Sequence, residues 1–470
     1  MDVATSADCL VSFQTTGGID VRATVLRLER HVVVFEVYSP AAVLQTSEAL
    51  PDFEILCGER PIYTGRAVVK NLITTGSVFV VEAGLDDGWI DIELLGGNRR
   101  HLRTHFADLL QRWQKTYRVR PEFKVLIADM ESLLMELRLW SEQVELGIRA
   151  APADDRLELE RLAGEQIAPA TAEAIDNIWE RFDPIVNSLE AELHGAHQAY
   201  LRRHLHPLLL CSPFAYRTYQ KPLGYAGDYE MVNMIVRDPH EGGSLFAKLV
   251  NAWLLQQAPA KAHRNRVAYL SEKLLTEALR VSTRGGRARI LNIACGPAAE
   301  MQRFLAEHDL SNRAELTLVD FNDETLQHVE GAMGRIKLAH QRNTPVHFVR
   351  KSVHQMLKEA GKRVQRPSEQ QYDFVYCAGL FDYLPDAVCQ KLWTVFYDWV
   401  APEGLLLATN VDATQPFHRS MEYILEWHLI CRSSQHVSRM IEGALPNHEF
   451  TVKSDETGVN LFAEARKSAP

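Results

Sequence analysis

Two apolar runs end in residues that could grip a ligand. Arg287–Ala294 (RARILNIA) runs into Ala294-Cys295-Gly296-Pro297-Ala298-Ala299-Glu300, and Glu315–Phe321 (ELTLVDF) carries Asp320, 24 residues after Gly296. Small residues at the end of a buried strand let a ligand approach the backbone. An acid at the end of the next strand can accept from both hydroxyls of a ribose. Gly296 and Asp320 would then flank a nucleoside-like ligand at the carboxyl edge of a sheet. Dinucleotide sites carry further glycines that admit a pyrophosphate. Here the turn is G-P-A-A-E, which disfavours a pyrophosphate; S-adenosylmethionine carries no phosphate and needs less room. Taken singly, Gly296 would mark a turn and Asp320 a helix cap or a loop acid.

A second cluster lies upstream, in Lys221–Met231 (KPLGYAGDYEM). Pro222, Gly224 and Gly227 shape a loop just before an apolar helix. Such a loop suits a lid: Tyr225, with Tyr216 and Tyr219, could form an aromatic wall around a cationic ligand. Asp228 offers a charged acceptor, or else caps the helix that follows. Arg217 or Lys221 could pair with a carboxylate.

These residues need elements to position them. From residue 285 onward, strands alternate with helices. After the two runs above come Val346–Val349, Tyr372–Tyr376 and Gly404–Asn410, with His448–Lys453 and Val459–Ala465 as a final hairpin. Continuous apolar strands separated by helices predict a parallel, doubly wound α/β sheet. Residues 100–280 read as a helical bundle. In Val125–Val144 the positions Leu126, Met130, Leu133, Leu134, Leu137, Trp140 and Val144 recur at three- and four-residue steps. Further helices are expected over Ala170–Leu189 and Glu190–Leu205, with Ala151–Asp155 as a connection. The long charged helices could also form a homodimer surface. Residues 1–98 read as short strands in Val21–Val37, Arg66–Ile73 and Ser77–Glu82, broken at Gly17-Gly18, Leu50-Pro51-Asp52 and Asp86-Asp87-Gly88. That spacing predicts a small antiparallel barrel or sandwich. The expected domains are therefore 1–98, 99–284 and 285–470.

Composition narrows the function classes. The chain has 470 residues, 46% of them apolar, with 51 Lys and Arg against 61 Asp and Glu. It is a multidomain globular protein rather than a disordered one. The net charge of −10 argues against nucleic acid as a partner. No apolar run reaches the length of a membrane span, and no signal peptide is apparent, so a cytoplasmic protein is expected. Seven scattered cysteines without a CxxC predict reduced thiols and no metal site.

The ordered set after Arg287 resembles a class I S-adenosylmethionine-dependent methyltransferase. Ile290–Gly296 resembles the family's first motif, and the resemblance implies that Ala294, Cys295 and Gly296 lie against the cofactor. It implies ribose binding by Asp320, beside Phe321, and adenine contacts from Ser352 and Val353. Cys377, Ala378 and Gly379, opening CAGLFDY, follow the fifth strand at the floor of the transfer site. Asp382 and Tyr383 stand there as catalytic candidates, with Tyr225 from the lid. His354, His418 and His428 are further candidate bases, although His354 reads equally as a solvent-facing helix residue and His428 as a packed core histidine. The sequence departs from the family in having one glycine in the first motif and Ser352 where Asp is usual.

The K-P-x-G-Y-A-G-D stretch with A-G-L-F-D-Y-L is similar to bacterial synthases of the extracellular factor 3-hydroxypalmitic acid methyl ester. That resemblance implies O-methylation of a fatty-acyl or similar small acid to give a quorum-sensing signal. Two alternatives stay open. One is non-methylating use of S-adenosylmethionine, by cyclisation or aminocarboxypropyl transfer; the other is ligand sensing without turnover. The first 98 residues resemble PilZ domains, whose R-x-x-x-R and D/N-x-S-x-x-G motifs bind cyclic di-GMP. Arg27 and Arg30 are three apart, and Asn71–Gly76 (NLITTG) sets Thr74 off the serine slot, so a degenerate domain without cyclic di-GMP is expected.

Overall fold

The computed structural model describes residues 9–38, 44–58, 60–75, 78–86, 102–360 and 371–469. The chain forms two compact units. Unit one is Met1–Ala226, Asp238–Gln257 and Pro416–His428; unit two is Gly227–Arg237, Ala258–Gln415 and Leu429–Pro470.

Unit one opens with six strands: β1 (Cys9–Gln14), β2 (Asp20–Glu29), β3 (Val32–Val37), β4 (Ala49–Cys57), β5 (Arg60–Thr75) and β6 (Val78–Leu85). They close into a barrel of order β1-β2-β3-β6-β5-β4. Period-two alternation fills it: β2 buries Val21, Ala23 and Val25, and β3 buries Val33, Phe35 and Val37. The rings of Phe13, Phe35 and Phe53 meet at its centre, 5.5–5.8 Å apart. The expected Val21–Val37 run divides at Arg30-His31 into β2 and β3. Leu50-Pro51-Asp52, expected as a break, lies inside β4. The pairing with β5 shifts register between Leu50 and Phe53, so Pro51 sits at an irregularity where the ladder does not need its missing N–H. Gly76, Ser77, Asp87, Gly88 and the 98/99 boundary lie outside the described residues.

The expectation of reduced thiols fails in this barrel. Cys9 and Cys57 face each other across β1 and β4, with Cα atoms 4.2 Å apart, and form a disulfide. Barrel closure brings them together from 48 positions apart in sequence. The other five cysteines lie outside this disulfide.

Unit one continues in helices, among them Pro121–Ala150, Arg156–Trp179, His194–Leu209 and Leu245–Gln256. Pro121–Ala150 buries Phe123, Leu126, Ile127, Met130 and Leu134 on one stripe. Trp140, expected there, is 48% exposed because it is rotated off that stripe. The helix expected over Ala170–Leu189 begins at Arg156, accommodates Pro169 and stops at Trp179. The Nε1 of Trp253 donates to Asp176 (2.8 Å) and that of Trp179 to Ser420 (3.0 Å). Among the described residues, no helix is long and apolar enough to cross a membrane.

Unit two is the doubly wound α/β layer. Its strands are β7 (Ala288–Ile293), β8 (Ala314–Asp320), β9 (Val346–Arg350), β10 (Tyr372–Cys377), β11 (Val400–Val411), β12 (Phe450–Ser454) and β13 (Asn460–Arg466). Their order is β12-β13-β11-β10-β7-β8-β9; β13 is antiparallel to both its neighbours and the other pairs are parallel. Helices cover both faces, so the central strands read as unbroken apolar runs. On one face Leu270, Leu274, Met301 and Phe304 join the strand residues Ile290, Leu316 and Phe374 in one core. On the other, Leu392, Trp393, Phe396 and Ile441 pack on Leu291, Val375 and Leu406. Ile293, Val319 and Cys377 stand level across β7, β8 and β10. From β7 the chain winds out to β9, then returns to β10 on the other side. The order therefore reverses between β7 and β10, and a ligand crevice belongs at the carboxyl ends there.

The bridge yields a prediction. A Cys9→Ala/Cys57→Ala chain should lose about 2–4 kcal/mol in the barrel, the usual worth of a loop closed at this length. Denaturant unfolding under non-reducing conditions measures it, and reduction of the wild type should reproduce it.

Candidate functional site

The turn after β7 is built from residues in unusual backbone conformations. Ala294, Gly296 and Ala298 have φ of 53°, 51° and 48°. Left-handed alanines cost about 1–2 kcal/mol each. Such strain persists only where the surroundings fix it, and it clusters at functional sites. Cys295 N donates to Val319 O (3.1 Å) and Ala298 N to Cys295 O (2.9 Å). A Cβ placed on Gly296 would meet nothing within 4 Å, so there is open space beside this residue.

Asp320 ends β8, and its carboxylate binds both neighbouring loops. Oδ2 accepts from Gly296 N (3.2 Å) and Oδ1 from Asn322 N (3.0 Å). Its carbonyl accepts from Lys351 N (2.9 Å), drawing the end of β9 alongside. The side chain is 5% exposed. Burial pushes its pKa up to about 6, against the lowering effect of the backbone N–H groups of Asn322, Gly296 and Phe321. Asp320 is thus a desolvated carboxylate, still ionised at neutral pH. Ser352 N donates to Gln355 Oε1 (2.8 Å) and Gln355 N to Ser352 Oγ (3.3 Å), a reciprocal cap on the helix Val353–Ala360. Val353 leans partly on the core.

The loop after β10 completes the carboxyl edge. Cys377 is buried as the last strand residue, and Gly379, with φ of 89°, donates its N–H to Thr409 Oγ1 (2.9 Å). A Cβ on Gly379 would lie 3.0 Å from Arg266 Nη1. Arg266 is 8% exposed, and its guanidinium makes no hydrogen bond to any described residue. Burial lowers its pKa, while the carboxylates of Asp382 and Glu300 pull the other way. Glu300, in the first turn of the helix Ala299–Glu307, accepts from Asn292 Nδ2 (3.0 Å) and Tyr376 OH (2.6 Å).

Asp382 is committed to the fold: its Oδ1 accepts from Val411 N (2.6 Å) and its carbonyl from Ile430 N (2.7 Å). Arg432, fully buried, ties the same loop down. It donates to Phe381 O (2.8 Å), Leu384 O (2.5 Å), Asn410 Oδ1 (2.6 Å) and Asp386 Oδ1 (2.8 Å).

The lid stretch is divided between the units. Its first half folds on unit one. Lys221 has φ of 52°, Gly224 N donates to Lys221 O (2.7 Å), and Gly224 O accepts from the barrel's Ala49 N (2.7 Å). Lys221 Nζ is spent on Leu425 O (3.0 Å). Tyr216 is 54% exposed and Tyr225 half-buried, both in unit one. The second half belongs to unit two. Asp228, 1% exposed, caps the helix Tyr229–Val236 by accepting from Met231 N (2.8 Å). A Cβ on Gly227 would fall 2.6 Å from Tyr383 OH, so this glycine admits the tyrosine.

Unit two therefore brings together Ala294, Cys295, Gly296, Asp320 and Phe321 on two adjacent strand ends. It adds Ser352 and Val353 beyond β9, Cys377–Gly379 beyond β10, and Asp382 and Tyr383. His354 is half-buried on its helix. His418 and His428 lie in unit one. His428 is a packed histidine, its pKa driven well below the ordinary value by burial, with a buried Nε2 that finds no partner.

No protein-family model matches the chain, and no curated protein does. Solved structures similar to it include a possible exported protein from Bordetella parapertussis, at 18% identity over 68% of this chain and 100% of that one, TM-score 0.43. Another is the magnesium protoporphyrin IX methyltransferase of Synechocystis with bound SAH, at 8% identity over 58% of this chain and 99% of that one, TM-score 0.34. A third is the N-methyltransferase NodS of Bradyrhizobium japonicum with S-adenosyl-L-homocysteine, at 17% identity over 53% and 98%, TM-score 0.29. None of the three reaches a TM-score of 0.5.

Sequence reasoning missed Arg266, Glu300 and Arg432. Arg266 left a trace. In the helix Ala258–Ser282 it stands in step with buried Ala262, Leu270, Leu274 and Ala278, every fourth residue, so a charge falls on an apolar face. Arg432 offers a direct test. Arg432→Met should cost about 3–5 kcal/mol in unit two, because it orphans two carbonyls and a buried amide together. Thermal unfolding measures the loss, and a change under about 1 kcal/mol would show that the loop holds without it.

Proposed function

We propose that unit two is an S-adenosylmethionine-dependent methyltransferase whose acceptor is the carboxylate of a 3-hydroxy fatty acid or a similar small acid. The observation that carries this reading is the buried Asp320 carboxylate joined to Gly296 N across two strand ends, with open space beside Gly296. Asp320 suits a ribose diol. The turn's single glycine suits a ligand without a pyrophosphate. Arg266, a buried guanidinium with no hydrogen bond among the described residues, suits the cofactor's amino-acid carboxylate. The donor set and the room both fit that group, which supplies an electrophilic methyl carbon on a sulfonium when bound.

The chain's own contribution is alignment and exclusion of water. Asp382 and Arg432 lock the loop that would floor the transfer site. Glu300, under the turn, is held by Asn292 and Tyr376. Asp382 is already bound to the β11 backbone, which favours an acceptor that is ionised by itself and needs no base. The same cradle could serve attack on another cofactor carbon, and the products separate the two. Purified protein given S-adenosylmethionine and 3-hydroxypalmitate should release S-adenosylhomocysteine and the methyl ester, by mass spectrometry. Methylthioadenosine in their place would overturn methyl transfer, and binding without any product would leave a sensor.

Two predictions concern Asp320. Asp320→Ala should weaken S-adenosylmethionine binding about a hundredfold, the loss of ~3 kcal/mol of charge-assisted hydrogen bonding, with the fold retained by circular dichroism. Only the ionised carboxylate can accept from both ribose hydroxyls. Affinity measured by calorimetry should therefore hold above pH 7 and fall as pH drops through about 6. Asp320→Asn should bind weakly and lack that inflection.

A further inference from the structure

A second site lies wholly within unit one, between β5, β6 and the helix His194–Leu209. It is a cavity of ≈ 280 Å³ whose lining includes Lys70, Asp86, Gln198, Arg202, Arg203 and Glu426. Three features of the fold build it. The first is a bulge: β5–β6 pairing steps from Val69↔Ala83 to Asn71↔Glu82, leaving Lys70 without a partner on the ladder. Bulges of this kind re-aim a side chain. The second is Gly84. A Cβ there would come within 2.4 Å of Lys70 Cε, so the lysine stem lies in the space a side chain at 84 would fill. Its Nζ then reaches Gln198 Oε1 (3.2 Å). The third is an incompletely used arginine. Arg202 Nη1 pairs with Glu426 Oε1 (2.5 Å), while its Nε and Nη2 are buried and find no partner among the described residues.

The charges do not balance. Lys70 and Arg202 line the cavity with Arg66 beside them, and the carboxylates among the described lining residues are Glu426 and Asp86. Arg66 already engages Glu426 (2.6 Å) and lies 3.9 Å from Asp86. Burial and the charge of Arg202 depress the pKa of Lys70, and the opposing pull of Glu426, Glu82 and Glu422 does not offset them. Unpaired buried charge is costly. A chain that keeps it against one cavity is arranged for a partner of opposite sign. A neighbouring cavity of ≈ 210 Å³ shares His31, Ala199 and Arg203 and adds Arg30, Arg118 and Lys124, with no carboxylate among its described lining residues. The basic surface is thus continuous beyond the first pocket.

We propose that this cavity binds a small polyanion, whose phosphate or carboxylate oxygens take the free guanidinium edge of Arg202 and the ammonium of Lys70. A guanidinium edge with two free N–H donors matches two anionic oxygens side by side. The site is separate from the one in unit two and would hold whatever the reaction there.

The test uses the full chain at fixed 50 mM chloride, titrated with inorganic pyrophosphate and, in a second arm, with citrate. Calorimetry and thermal unfolding are read together. At least one probe should bind at micromolar concentration and raise the unfolding temperature. Pyrophosphate alone would identify phosphate chemistry, and citrate alone carboxylate chemistry. Lys70→Gln should weaken that binding at least tenfold and yet unfold at the same or a higher temperature than wild type without anion, because it removes an unpaired charge. Arg202→Lys keeps the pairing charge for Glu426 and should also weaken binding, through loss of the fork. Asp320→Ala should bind the anion unchanged. Three results would each overturn the proposal: no heat and no stabilisation from either probe at millimolar concentration, affinity indifferent to Lys70→Gln, or a Lys70→Gln chain that unfolds earlier than wild type.

Discussion

One carboxylate holds the carboxyl edge of unit two together. Asp320 sits where β8 ends, and it satisfies the N–H of Gly296 from the neighbouring strand's turn and that of Asn322 from its own. Without it, the three left-handed residues of the first turn would lose an anchor that offsets their strain. The same group is buried enough for its ionised form to be disfavoured. Stability alone would prefer a neutral residue here. A buried carboxylate bonded only to backbone N–H groups is what a diol needs, since lone pairs remain to accept two further hydrogens.

The parallel sheet was legible because its physics is written residue by residue. Strands buried on both faces must be apolar at every position, so β7, β8, β10 and β11 stand out as runs, and their ends mark the crevice. The barrel was legible only in part. β1 and β4 escaped notice, β4 because Pro51 reads as a stop although a register shift makes room for it. The Cys9–Cys57 bridge escaped because it depends on which strands close the barrel, and spacing does not reveal that. The candidate site divides the same way. Gly296 and Asp320 lie at strand ends, where the apolar runs stop. Arg266 and Arg432 arrive from helix and loop, and only the folded topology shows what they touch.

The Lys221–Met231 stretch folds as a shaped loop and divides its work between the units. Gly224 is glycine because φ of 87° and the approach of Thr16, whose Cγ2 would lie 2.0 Å from a Cβ, leave no alternative. Gly227 is glycine because the hydroxyl of Tyr383 occupies its side-chain space. Two glycines three residues apart therefore answer to different units. Asp228 caps a helix in unit two, while Lys221 closes one in unit one.

Both candidate sites keep charge that the rest of the fold would rather lose. In unit one, Glu426 is the model of a satisfied buried ion: Arg66 and Arg202 take one oxygen each, and its pKa is held far below the ordinary range by those charges despite burial. Lys70, in the same neighbourhood, has an amide oxygen as its only hydrogen-bond partner among the described residues and is pushed toward the neutral form. The contrast is what separates a structural ion from one awaiting a ligand. A structural ion is surrounded until its lone pairs or protons are used. An ion meant for binding is buried too, with part of its hydrogen-bonding capacity left unused by the protein. By that measure Arg432, with every donor group engaged on the protein, is structure. Arg266, Asp320, Arg202 and Lys70 are the places where this chain has left room for something else.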